Sequence, residues 1–188
     1  VIVADLAMER GQTDSTAQVL KLKQAQPDFI LGCLYEAETV IFLRDAKKYG
    51  LKTPVMGTAG TDLENTLARL GDKEAVKNYY VLHAFVDKVD GPKMKKWNDI
   101  ILKYYPDETI TGFSAISMAS GVAAVKALEA AGRDLSRTKM IAELEKINGL
   151  NTGILACDIT WTPTDRHGCK KSAVAGFIDG NPTVLSAW

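Results

Sequence analysis

Few side chains in this chain are spaced for chemistry, and their arrangement suits binding better than bond-breaking. The 188 residues include two histidines and three cysteines. Asp165-Arg166-His167-Gly168-Cys169, with Cys157 upstream, superficially resembles a metal site. It has no CxxC, no HExxH and no second ligand pair, so no metal is expected, and no cofactor. Cys33 as a nucleophile would need a base, and nothing local marks either histidine as one; no serine stands in a GxSxG elbow. Glu36 and Glu38 lie two apart near a predicted helix start, where they complement the helix dipole. A small α/β enzyme using Cys33 is thus the least favoured reading.

The candidate binding residues lie in loops. Tyr35, in Gly32-Cys33-Leu34-Tyr35-Glu36, offers a flat apolar face and a hydroxyl. The stretch Gly57-Thr58-Ala59-Gly60-Thr61-Asp62 has small residues that let a ligand approach the backbone. The helix opening at Asp62 would present N–H groups to an anionic or polar group there. The stretch carries neither GxGxxG nor a Walker lysine, which disfavours nucleotides. His83 ends a predicted strand and could donate a hydrogen bond to a ligand carboxylate.

These loops are placed by alternating strands and helices. Val1 to Ala7 is apolar and β-branched and reads as a strand. Ser15 to Gln26 reads as a helix, with Ser15 and Gln18 at capping-box spacing and Pro27 as its stop. Phe29-Ile30-Leu31 is a continuous apolar run that suits a parallel strand covered on both faces. Glu36 to Tyr49 returns to helix and ends at Gly50. A strand at Pro54 to Gly57, a helix from Asp62 to Leu70, a strand from Tyr79 to Phe85 and a helix from Met94 to Tyr105 follow. Strands separated by single helices predict an open parallel α/β sheet with helices on both faces, whose strand C-terminal ends form the ligand crevice. After Pro106 two helices come in succession, Gly112 to Ala131 and Ser136 to Ile147. The first is apolar nearly all round and is expected to be buried on most sides. Ile154 to Thr162 and Ala173 to Ile178 read as strands, with a turn at Asp179-Gly180-Asn181-Pro182.

Composition narrows the partners. Lys and Arg total 23 and Asp and Glu also 23, and a neutral chain is a poor match for nucleic acid. The apolar run Ile110 to Val125 falls short of a bilayer span and is expected to be a buried helix. The chain opens at Val1 without Met, already in strand-like sequence, which suggests missing upstream polypeptide. Cys33, Cys157 and Cys169 cannot all pair; one disulfide is possible, and the compartment stays open.

Several stretches carry a resemblance in order along the chain: Thr13 to Lys23, Pro27 to Leu31, Phe42 to Gly50, Ala124 to Asp134, and Gly153 followed by Ile159 to Gly168. Together they resemble type I periplasmic solute-binding proteins, most closely the leucine/isoleucine/valine-binding receptors of ABC transporters. The resemblance implies a non-catalytic extracytoplasmic receptor, periplasmic or lipid-anchored. Such a receptor closes two lobes around a small organic solute and delivers it to membrane permease subunits. It implies lobe two at 1–106, a return to lobe one at 107–172 and a final strand crossing back at 173–188, with the N-terminal part of lobe one missing. That missing polypeptide would be the natural cover of the apolar helix at 112–131. By analogy the ligand contacts fall on Tyr35 and on Thr58, Ala59 and Gly60. Ala59 stands where branched-chain amino-acid receptors place a carboxylate for the ligand ammonium. A free α-amino acid is therefore disfavoured unless Glu36 or Asp62 substitutes, and an aliphatic or aromatic acid or an amide becomes comparable. A ligand-sensing regulatory domain on the same fold is the alternative.

Overall fold

The computed structural model describes residues 1–58, 61–87, 91–108 and 110–186. They form α1 (Thr16–Ala25), β1 (Ile30–Gly32), α2 (Glu36–Lys48), β2 (Val55–Gly57), α3 (Leu63–Leu70) and β3 (Tyr79–His83). A 3-10 turn at Pro92–Met94 leads into α4 (Lys95–Tyr104), followed by α5 (Gly112–Ala131), α6 (Arg137–Leu144), β4 (Ala173–Ile178) and β5 (Asn181–Val184). The chain divides into two compact units, one of Val1–His83 with the segment starting at Ala173, the other of Ala84–Ser172.

The first unit holds a five-stranded sheet in the order β1-β2-β3-β4-β5. β1, β2 and β3 are parallel, in register Gly32 with Gly57 and Gly57 with Val81. β4 and β5 add antiparallel, the latter through a two-residue turn whose Asp179 (φ 50°) and Gly180 (φ 72°) both take positive φ, the geometry of a twisted hairpin. The α/β expectation holds, with a parallel half and an antiparallel half. Val19, Phe42, Leu43, Val55, Tyr79 and Val81 are among the residues of its core.

Three local expectations give way. Val1 to Ala7 is not a strand: Val1, Ile2 and Val3 are exposed, and β-branched residues do not hold a strand without a ladder partner. Ile30 is buried but Leu31 is 66% exposed, so β1 is covered on one face, not two. Ser15 and Gln18 form no capping box. The Ser15 N–H and hydroxyl instead donate to Asp45 Oδ2 at 2.7 and 2.9 Å, tying α1 to α2, and Gln18 Nε2 donates to the Ala7 carbonyl at 2.9 Å.

The second unit is mostly helical. α5 opens with a capping box between Thr111 and Ser114 and buries a stripe of alanines four apart, Ala115, Ala119, Ala123, Ala127 and Ala131. Its other side, including Phe113, Val125 and Leu128, is exposed, contrary to the expected near-complete burial. Contrary to expectation too, the 20 residues of α5 are long and apolar enough, by length and composition, to cross a membrane. Ala115 and Ala119 of the stripe are nonetheless packed with Phe85, Met94 and Ile154, and Ala123 with Ile147 and Ile159. Ile154 to Thr162 is not a strand; it contributes isolated bridges, Leu155 to Phe85 and Ile159 to Leu150. The first unit's opening segment ends at His83. The Val86 N–H donates to the Ile154 carbonyl and Trp97 Nε1 to the Gly153 carbonyl at 3.2 Å, grouping α4 with the second unit.

Candidate functional site

Because β1, β2 and β3 run parallel, their C-terminal ends share one edge of the first unit, with the segments that follow β1 and β2. Of the residues singled out in the sequence, Tyr35, Glu36, Thr58 and His83 are described on this edge or at the start of the helices leaving it. Ala59 and Gly60 lie outside the described residues.

Tyr35 is the N-cap residue of α2, in extended backbone (φ −81°, ψ 170°), and its side chain caps nothing. The ring is 61% exposed. The Arg10 guanidinium lies over it, 5.5 Å from the centroid. Sequence reasoning missed Arg10, because a lone arginine in a turn carries no spacing signal.

Glu36 begins α2 and reaches across to the second loop. Its Oε1 accepts from the Thr66 hydroxyl at 2.6 Å and its Oε2 from the Asp62 N–H at 3.3 Å. Burial pushes this carboxyl above its ordinary value, while the bonds from Thr66 and Asp62 oppose the rise. Asp62 in turn accepts from the Asn65 N–H at 2.7 Å. Two N–H groups at the start of α3, those of Asp62 and Asn65, are thus taken by the protein's own carboxylates. Both carboxylates are bound to the first turns of α3.

Thr58 and Thr61 are bonded to each other. The Thr58 carbonyl accepts from the Thr61 hydroxyl at 3.1 Å, and Thr61 Oγ1 lies 2.7 Å from the Tyr79 hydroxyl. Tyr79 is almost wholly buried, and burial, with a smaller push from Glu36, raises its phenol to about 12. A Cβ on Gly57 would stand 2.2 Å from that hydroxyl and 2.8 Å from Thr61 Oγ1, so only glycine lets the phenol pass beneath the loop. His83 is half-buried as the last residue of β3, in register with Ala173 of β4.

The chemistry available here is neutral hydroxyls, an aromatic face and one stacked cation. Among the described residues no group of three His, Cys, Asp or Glu could hold a metal. Cys33 is a free, exposed thiol. Cys157 and Cys169 form a disulfide, which resolves the pairing that the sequence left open and makes Cys169 a structural half-cystine.

A family model described as periplasmic binding protein matches residues 2–181. Solved structures similar to the chain include a branched-chain amino acid ABC transporter protein from Thermus thermophilus with bound valine (TM-score 0.81, 19% identity, 94% of this chain and 49% of that one). A fatty acid ABC transporter substrate-binding protein from Thermomonospora curvata gives 0.80, with 21% identity over 95% of this chain and 47% of that one. A leucine-binding protein from Thermotoga maritima gives 0.74, with 20% identity over 95% and 49%. The chain therefore spans about half the length of these structures. No curated protein matches it.

Proposed function

The chain belongs to the periplasmic binding protein family, and from that premise we propose that it is part of an extracytoplasmic receptor that captures a small organic solute for an ABC permease. The observation that carries the reading is the shared edge of β1, β2 and β3. The exposed Tyr35 stands there at the start of α2, whose Glu36 is bonded across to Asp62 at the start of α3. In an open α/β sheet such an edge is where ligands sit.

On this reading the first unit is the ligand-binding lobe, and the second belongs to the polypeptide returning to the other lobe. The chain supplies one wall of a cleft; the opposite wall comes largely from residues outside these 188. The half-length match to related structures supports that, as does the exposed apolar side of α5, a surface suited to cover by further polypeptide. Work at the site is binding, not catalysis: solute stabilises the closed form of the receptor, and the permease reads closure. The Cys157–Cys169 disulfide suits an oxidising compartment outside the cytoplasm. Relatives on this fold are described with valine in one case and as a fatty acid transporter protein in another, so the fold by itself leaves the solute class open.

The reading is tested by calorimetric titration of the complete gene product with amino acids, aliphatic and aromatic acids and their amides. One class is expected to bind, and Tyr35→Ala to weaken it about tenfold or more without lowering the melting temperature, since the exposed ring packs little protein. An unchanged affinity in Tyr35→Ala would remove this loop from the site.

A further inference from the structure

We propose that Arg10 is the anion-recognising residue of this site and that the solute is an organic acid without a charged amine. The proposal rests on the receptor reading above and deepens it by naming the solute class.

The first ground is how Arg10 is held. It precedes Gly11, whose positive φ of 79° turns the chain, and the Gly11 N–H donates to Glu38 Oε1 at 2.8 Å, in the first turn of α2. The turn is fixed on its other flank by Gln12 Nε2, which donates to Gln18 Oε1 at 3.2 Å. These bonds hold the turn against α2, and the Arg10 guanidinium lies over the Tyr35 ring. Stacking on an aromatic face leaves the edge of the planar cation, with its N–H donors, directed away from the ring. Among the described residues Arg10 makes no hydrogen bond and no ion pair, and Glu38 acts on it only at longer range. A stacked guanidinium with its donors unspent is suited to a carboxylate, which it can hold through two parallel bonds.

The second ground is what the same edge lacks. An ammonium withdrawn from water into a closing cleft needs a carboxylate partner. Of the two acidic side chains described between these loops, Glu36 gives both oxygens to the Thr66 hydroxyl and the Asp62 N–H, and Asp62 gives Oδ1 to the Asn65 N–H. The hydroxyls of Thr61 and Tyr79 are paired with each other. The described part of the wall therefore offers a cation to an anion and an aromatic face to an apolar body, with its carboxylates engaged at the start of α3.

The test uses the complete gene product, titrated with butyrate, octanoate and benzoate, with their primary amides, and with valine and leucine. Acids are expected to bind more tightly than their amides and than either amino acid. Arg10→Ala should cost the acids roughly tenfold or more, the scale of one charge-assisted hydrogen bond, and leave the amides nearly unchanged. Arg10→Lys should recover part of the loss, since it keeps the charge without the planar fork. If acids bind and Arg10→Ala leaves them unaffected, or if valine or leucine outbinds the acids, this assignment fails while the receptor reading stands. If no compound of any class binds the folded protein, the receptor reading fails and takes this one with it.

Discussion

At the scale of single residues, the site edge is governed by groups that the protein has already satisfied internally. Tyr79 is the clearest case. Its hydroxyl lies 2.7 Å from Thr61 Oγ1, and burial, the largest influence on it, favours the protonated phenol. With a folded value of about 12 against an ordinary 10.0, the native state holds this proton more tightly than the unfolded chain. The resulting stability is fully present below pH 10 and is lost as pH rises through 12, at up to about 1.4 kcal/mol per pH unit in between. Urea denaturation at pH 9 and pH 11 should therefore reveal a steeper loss in the wild type than in Tyr79→Phe, which has no phenol to ionise. Parallel losses in the two proteins would mean that the phenol ionises as freely folded as unfolded. Gly57 belongs to the same constraint, since any side chain there would strike the phenol.

At the scale of elements, the sequence foretold best where a residue acts through its own backbone. α5 runs over the predicted 112–131, because a capping Thr111 and the break at Gly132 are local signals. α2 and α3 likewise begin and end where their acidic first turns, Gly50 and Gly71 direct. Elements that depend on a distant partner were not legible. Val1 to Ala7 has the composition of a strand and no ladder, and Ser15 has the spacing of a capping residue but is claimed by Asp45, thirty positions away. The site followed the same division. Tyr35, Thr58 and His83 could be placed from the ends of strands, whereas the capture of Glu36 by Thr66 and the approach of Arg10 to Tyr35 are tertiary. The disulfide is another such element. It closes a segment of sequence separation 12 around the turn at Asp165, in the second unit, where neighbouring order comes from isolated bridges and not from a sheet. A loop of that length restricts the unfolded chain by roughly 3 kcal/mol. Cys157→Ser with Cys169→Ser, or reduction by dithiothreitol, should lower the unfolding free energy by that order in guanidinium melts. A midpoint insensitive to reductant would mean the bridge adds nothing to this segment.

At the scale of the whole molecule, the apolar surface that the chain leaves uncovered is the quantity to reckon with. An open groove of about 520 Å³ runs between α4 and α5, lined by Trp97, Ile100, Met118, Val122 and Val125, with Lys126 and Glu129 beside it. Exposed apolar surface costs roughly 25 cal/mol per Å², and patches of this kind seldom remain open on monomers. On the reading proposed here, further polypeptide of the same receptor covers this side and also builds the second wall of the cleft. Two properties should then appear together when the 188 residues are produced alone. Their exposed helix face should bind a hydrophobic dye such as anilinonaphthalene sulfonate or drive self-association in sedimentation. Their solute affinity should fall at least a hundredfold below that of the complete gene product, because a receptor site encloses most of its ligand and one wall cannot. Both should be reversed in the complete gene product. Tight solute binding by the 188 residues alone, with no dye bound, would mean that a finished pocket already exists within them and that the exposed face of α5 has no partner to await.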